Sequence, residues 1–196
     1  MPKLLFTATY AQPYLSGITD YIAKVTEYLT KFHQVSLLVF QHQSQLPNHE
    51  TRHQVQIHRL KPQLKLSKGL INWAYPLEAW RAVAAHDQIL INLPQVESIW
   101  VALAAKLLGK KLAVIYHCEL VFETGWGNQI LAMVANILAS WVGFLADTII
   151  VYTQDYADHS PILKPYSQKI QAVLPPVDLI PFDRTLNQKF KTLIGE

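Results

Sequence analysis

Glycine is scarce in this chain and wrongly spaced for nucleotide chemistry. Its seven glycines stand at 17, 69, 109, 125, 127, 143 and 195 of 196 residues. They form neither the Gly-x-Gly-x-x-Gly turn of dinucleotide sites nor a Gly-Lys-Ser/Thr phosphate loop, both of which need glycine at fixed offsets for close backbone approach. A dinucleotide enzyme would also carry an acidic residue near the end of its second strand, where this chain has Val39-Phe40-Gln41-His42. Cysteine is scarcer still: Cys118 stands alone, which excludes an internal disulfide and any paired-cysteine metal site. Only 16% of residues are charged, the net charge is +3 and the basic residues form no long run, so nucleic acid is not an expected partner. Eight histidines lack His-Glu-x-x-His or any other ligand spacing, so neither a metal nor another cofactor is expected. The N-terminus has no charged leader followed by an apolar stretch and a small-residue cleavage site, and a cytoplasmic location is expected.

What is present is apolar and periodic. Hydrophobic residues make up 51% of a chain long enough for a single sizeable core. Short β-branched runs alternate with longer segments of helical periodicity, the pattern of a parallel sheet with crossover helices. Strands are expected at 4–9, 35–40, 55–60, 89–93, 112–116, 148–152 and 170–174. Helices are expected at 18–31, 73–85, 96–108, 129–145 and 155–163, the third ended by Gly109. The polar stretch 41–52 reads as a surface loop. The fold class is therefore α/β, an open, mostly parallel sheet with helices on both faces.

Two strand ends hold candidate site residues. The loop after the first strand, Tyr10-Ala-Gln-Pro-Tyr-Leu-Ser16-Gly17, opens straight into an amphipathic helix. Free N–H groups at such a helix start carry partial positive charge, and Gly17 lets an anionic or hydroxylated ligand reach them. A turn that needs φ > 0 is the structural alternative for Gly17. His117 ends the strand at 112–116, where open α/β sheets place ligands, and can donate to a hydroxyl or a developing negative charge. A satisfied core histidine is the alternative. Glu119, Glu123 and Thr124 follow in a polar loop and can bond hydroxyls, although a solvated loop accounts for them equally well. Cys118 faces away from His117 because neighbours on a strand alternate, so it reads as core.

The first loop, Tyr116-His117 and the tail Lys169-Ile-Gln-Ala-Val-Leu-Pro175-Pro176-Val177-Asp178 together resemble the N-terminal domain of family 4-like glycosyltransferases of the GT-B fold. The resemblance runs over about residues 3 to 183 and rests on the order and spacing of short motifs. It implies a Rossmann-like domain over 1–183, with 184–196 as tail or the start of an inter-domain linker. It also implies a hinge at Pro175, Pro176 and Asp178, a catalytic role for His117, and substrate contacts from Ser16, Gly17, Glu119, Glu123 and Thr124. In the family a Gly-Gly pair fills the first loop and a glycine precedes the Val-Asp pair; here Ser16 and Pro176 stand in those places. The donor-side pair of glutamates separated by seven residues does not occur in the chain. The resemblance thus implies the acceptor-binding half of a retaining transferase, inactive without a donor-binding C-terminal domain. Its partners would be a sugar or lipid-linked acceptor and, through that missing domain, a nucleotide-sugar donor. The alternative is a stand-alone binding or partner module that complements a separately encoded donor domain.

Two further segments bear on membranes. No acidic residue lies between Glu50 and Glu78, while Arg52, Arg59, Lys61, Lys65 and Lys68 precede Trp73, Tyr75 and Trp80. Such a mixture suits an anionic headgroup region, and peripheral contact with the inner face of the plasma membrane follows as one expectation. A solvated basic loop before a core-facing helix is the other. Residues 130–146 are apolar apart from Asn136 and Ser140, short for a membrane span, and read as a buried crossover helix with Trp141 and Phe144 in core or inter-domain contacts; a partly exposed face docking on a membrane is the alternative.

Overall fold

The computed structural model describes residues 1–66, 69–120 and 126–177. Its main sheet has eight strands. β1 (Lys3–Thr7) lies near the centre, flanked by β2 (Gln34–Phe40) on one side and β7 (Gln88–Leu93) on the other. Beyond β2 come β4 (Val55–Leu60) and then β3 (His49–Arg52); beyond β7 come β8 (Lys111–Tyr116), β9 (Thr148–Val151) and β10 (Ile170–Ala172). All pairings are parallel except β3 with β4. A separate two-stranded hairpin joins β5 (Leu64–Leu66) to β6 (Gly69–Ile71).

The helices distribute unequally. α1 (Gly17–Leu29) covers the face formed by Leu4, Phe6, Leu37, Val39 and Ile57. α2 (Tyr75–Ala84), α3 (Ser98–Leu107), α4 (Trp126–Leu145) and α5 (Gln154–His159) cover the other, against Leu5, Leu38, Ile91, Leu112 and Val114. Alternation along each strand sends successive side chains to the two cores, and the central strands therefore read as continuous apolar runs.

Several elements depart from expectation. The loop assigned to 41–52 contains β3, whose exposed, polar sequence His-Glu-Thr-Arg carries no strand pattern because it is an edge bonded on one side only. β5 and β6 are three residues each, too short to show a period. The helix assigned to 155–163 stops at His159, and a 3-10 helix occupies Lys164–Lys169. The last strand ends at Ala172, two residues earlier than expected.

The largest correction concerns α4. Its inner side is made of small residues, Ala132, Ala135, Ala139, Val142 and Gly143, which let it settle close to the sheet and α3. The large residues point out: Trp141 is 56% and Phe144 59% exposed, so neither is a core contact. In the basic segment, Arg59 is buried, with Nη1 2.7 Å from a Glu50 carboxylate oxygen, and Tyr75 is buried against Phe40. Neither side chain is free to meet a headgroup.

Candidate functional site

The strands β1, β7 and β8 end together, and a cleft of about 330 Å³ opens above them. Each wall follows from one connection. Ala8, Thr9 and Tyr10 continue β1; Ser16, Ile18 and Thr19 come from the start of α1; Asn92 to Glu97 continue β7. Cys118 and Leu120 follow β8, Leu131 and Ala135 come from α4, and Gly69 and Ile71 from the hairpin. The polar groups are Asn92, Gln95, Glu97, the Thr9, Ser16 and Thr19 hydroxyls and the Tyr10 and Tyr14 phenols; the rest of the lining is largely apolar. A larger cavity of about 530 Å³ lies against the middle of β2 and β4 and the end of α2, away from the strand ends where such sheets bind ligands.

The start of α1 is a capped terminus. The Thr19 N–H donates to Ser16 Oγ (3.2 Å), and the Ser16 N–H donates to Thr19 Oγ1 (3.0 Å), a reciprocal box that satisfies two of the terminal donors. The Asp20 N–H reaches the Ser16 carbonyl in the first helical bond. Gly17 and Ile18 are therefore the two positions whose N–H groups remain for a ligand. Gly17 is exposed, and a Cβ built on it meets no atom within 4 Å. Its φ is not positive, so the turn explanation fails and the open space before the backbone is its distinguishing property.

His117 sits in a closed chain of hydrogen bonds. The Asn92 amide donates to the Thr7 carbonyl (3.1 Å), which turns Asn92 Oδ1 toward His117 Nε2 at 3.0 Å. Nε2 must then carry the proton, and Nδ1 accepts from the Tyr152 hydroxyl. Tyr21 of α1 packs edge-on against the ring, 5.1 Å between centroids. Burial pushes the imidazole pKa down to about 4, so the ring is neutral at physiological pH. His117 faces the α1 side of the sheet, while Asn92 is the residue shared between its network and the cleft wall.

Glu97 is the cleft's one acid among the described residues. It begins α3 half-buried, and desolvation raises its pKa to about 7. Below it, Thr7 Oγ1 donates to Gln95 Oε1 (3.2 Å) and Gln95 Nε2 donates to the buried Tyr75 hydroxyl (2.9 Å), fixing the floor.

Of the expected site residues, Ser16 lines the cleft, with Gly17 beside it at the helix start, and His117 reaches its edge through Asn92. Glu119 turns away and accepts a hydrogen bond from Ser160 Oγ beyond α5. Cys118 is not core: it is exposed and lines the cleft, because β8 ends at Tyr116 and the face opposite His117 is open there. Glu123, Thr124 and Asp178 lie outside the described residues; Pro175 and Pro176 follow β10 without regular structure. Asn92, Gln95 and Glu97 were missed. Their signal was polarity at the end of an otherwise apolar strand, Ile-Leu-Ile-Asn-Leu-Pro-Gln.

A mostly parallel α/β sheet with its cleft at the strand ends and a bare helix start beside it defines one Rossmann-like half of a GT-B architecture. The model of Glycosyltransferase Family 4 matches residues 15–179, and the chain belongs to that family. No curated protein matches. Among solved structures, the chain resembles sucrose-phosphate synthase from Thermosynechococcus elongatus, with TM-score 0.62 and 15% identity over 91% of this chain and 49% of that one. It also resembles a structure described as trehalose-6-phosphate from E. coli bound with UDP-2-fluoro glucose, with TM-score 0.50 and 10% identity over 98% of this chain and 54% of that one. At these identities the likeness is one of fold, and the chain spans about half the length of either structure.

Proposed function

We propose that the chain is the acceptor-binding half of a retaining, nucleotide-sugar-dependent glycosyltransferase. The donor comes from a second Rossmann-like domain, whether in a longer chain or in a separate polypeptide. The observation that carries this reading is the largely apolar cleft at the ends of β1, β7 and β8, walled on one side by Ser16, Ile18 and Thr19 of the α1 start, beside the open backbone of Gly17. An acceptor hydroxyl in the cleft attacks the anomeric carbon of the donor sugar, and the bond to the departing nucleotide diphosphate breaks. The N–H groups of Gly17 and Ile18 stabilise the leaving charge. His117, neutral with its proton on Nε2, is the donor that this reading assigns to a sugar hydroxyl or the leaving phosphate, and Asn92 holds that proton until a ligand competes for it. The apolar walls suit a lipid-linked acceptor as well as a sugar, at the cytoplasmic face of the membrane. This reading takes residues 1–183 as the domain and 184–196 as tail or the start of an inter-domain linker, and assigns the hinge to Pro175, Pro176 and Asp178.

The test is sugar transfer from a nucleotide sugar to native lipid and sugar extracts by the complete, two-domain enzyme. Transfer is expected there and none from the 196 residues alone. His117→Ala in the complete enzyme is expected to lower turnover about 100-fold or more while leaving the fold intact. Unchanged turnover would remove His117 from the reaction, and turnover by the 196 residues alone would contradict the division into halves.

A further inference from the structure

All five tryptophans of the chain are exposed, and all five lie on one layer of the molecule. Trp73 lies in the turn just before α2 and Trp80 in its body, Trp100 in α3, Trp126 and Trp141 in α4, with exposures between 42 and 81%. Tryptophan is the largest apolar side chain and is highly buried on average, so a chain that exposes every copy on one side departs from an ordinary core. The three helices pack side by side on the same face of the sheet. Apart from the buried Tyr75 at the start of α2, the inner residues are small or medium, and the exposed ones include the large apolar side chains. α4 turns out Trp126, Ile130, Met133, Ile137, Trp141 and Phe144, spaced by three and four along its whole length. α3 adds Leu103 and Leu107 to Trp100, and α2 adds Leu77. A water-facing helix has the opposite arrangement.

We infer that this outer layer of α2, α3 and α4 is a docking face for an anionic bilayer surface. Charge selects that occupant. α4 has no ionisable residue in 20, and the charged groups on and just beyond these helices are partly cancelled: Glu78 pairs with Arg81 and Asp147 with Lys106. Lys61 and Lys65 at the hairpin before α2, and Lys110 and Lys111 after α3, have no ion-pair partner among the described residues. In a symmetric pairing of two copies those lysines would gather with only two further acids per copy beside these helices, Asp87 after α2 and Glu97 before α3. Anionic headgroups neutralise them, at about 1 kcal/mol per cation near the surface. Indole rings suit the headgroup boundary, and an α4 lying flat presents one stripe over about 30 Å. The cleft opens at the same edge: Leu131 and Ala135 of α4 and Gly69 and Ile71 of the hairpin line it, so a lipid-anchored acceptor would reach it from the membrane plane. This last point rests on the transferase reading; the docking face does not.

The tryptophans supply the assay. The full chain is titrated with phosphatidylcholine vesicles, with and without phosphatidylglycerol, while indole emission and co-sedimentation are followed. A blue shift, quenching by brominated lipid and tighter binding to the anionic vesicles are expected. Ile137→Glu and Trp141→Glu, both at exposed positions that leave the core untouched, should each weaken vesicle binding about tenfold or more with unchanged circular dichroism. Three outcomes would overturn the proposal: no shift with either vesicle, equal binding to both, or a lipid-independent shift that grows with protein concentration and doubles the mass in light scattering. Vesicle binding without sugar transfer would leave the docking face standing and count against the transferase reading alone.

Discussion

Burial lowers the His117 imidazole to about 4 and raises the Glu97 carboxyl to about 7, so the two groups pull stability in opposite directions between those values. The unfolded histidine takes a proton near pH 6.5 while the folded one refuses it until about 4, so its contribution to stability is lost as pH falls through that window. The folded Glu97 keeps its proton up to about 7 while the unfolded carboxyl releases it near 4.5, so its contribution is lost as pH rises. Glu97→Gln should therefore gain stability relative to the parent between pH 4.5 and 7, on the order of 2–3 kcal/mol in denaturant midpoints. A difference that does not change with pH would contradict the buried-acid account. His117 was legible in sequence because it ends an apolar strand. Its partner Tyr152 was not, being 35 residues away and brought near only by the order of β7, β8 and β9. Cys118 was misread because alternation fixes which side a residue faces, but not whether that side is covered.

The first turn of α1 separates fold from function within two residues. Ser16→Ala removes the side-chain half of the capping box and should cost about 1 kcal/mol in thermal or denaturant melts, whereas Ser16→Gly should cost only a few tenths. The serine thus replaces the first glycine of the family's pair with little consequence for stability in either direction. Gly17→Ala has open space and an ordinary φ, and should be neutral or stabilise by about 0.4–1 kcal/mol. The same methyl should weaken donor-dependent turnover in the complete enzyme, because it stands before the two free N–H groups. Unchanged turnover with Gly17→Ala would show that no ligand approaches there. Elements with a long period, such as α1 and β2, could be read from spacing. β3 and the hairpin could not, since their stability comes from a neighbour across the sheet and not from their own pattern.

Among the described residues the two sheet faces are unequal, with four α-helices on one side and α1 on the other. The cleft sits where that sheet ends, and the apolar layer of α2 to α4 borders it. The α/β class was legible because parallel strands buried on both faces are continuously apolar. Trp73 and Trp80 were legible as outward candidates beside the basic segment, and Trp141 only as an alternative. That Trp100 and Trp126 share their layer was not legible, because composition gives the number of large apolar residues and not which side of a helix meets the core. The chain belongs to Glycosyltransferase Family 4 and spans about half the length of the matched structures; a second domain as the source of the donor is what we propose. The most direct measurement is the sequence of the encoding locus through and beyond the codon for Glu196. The account predicts a continuing or adjoining frame for a second Rossmann-like domain that carries two glutamates separated by seven residues. A stop after Glu196 with no such frame nearby would contradict it.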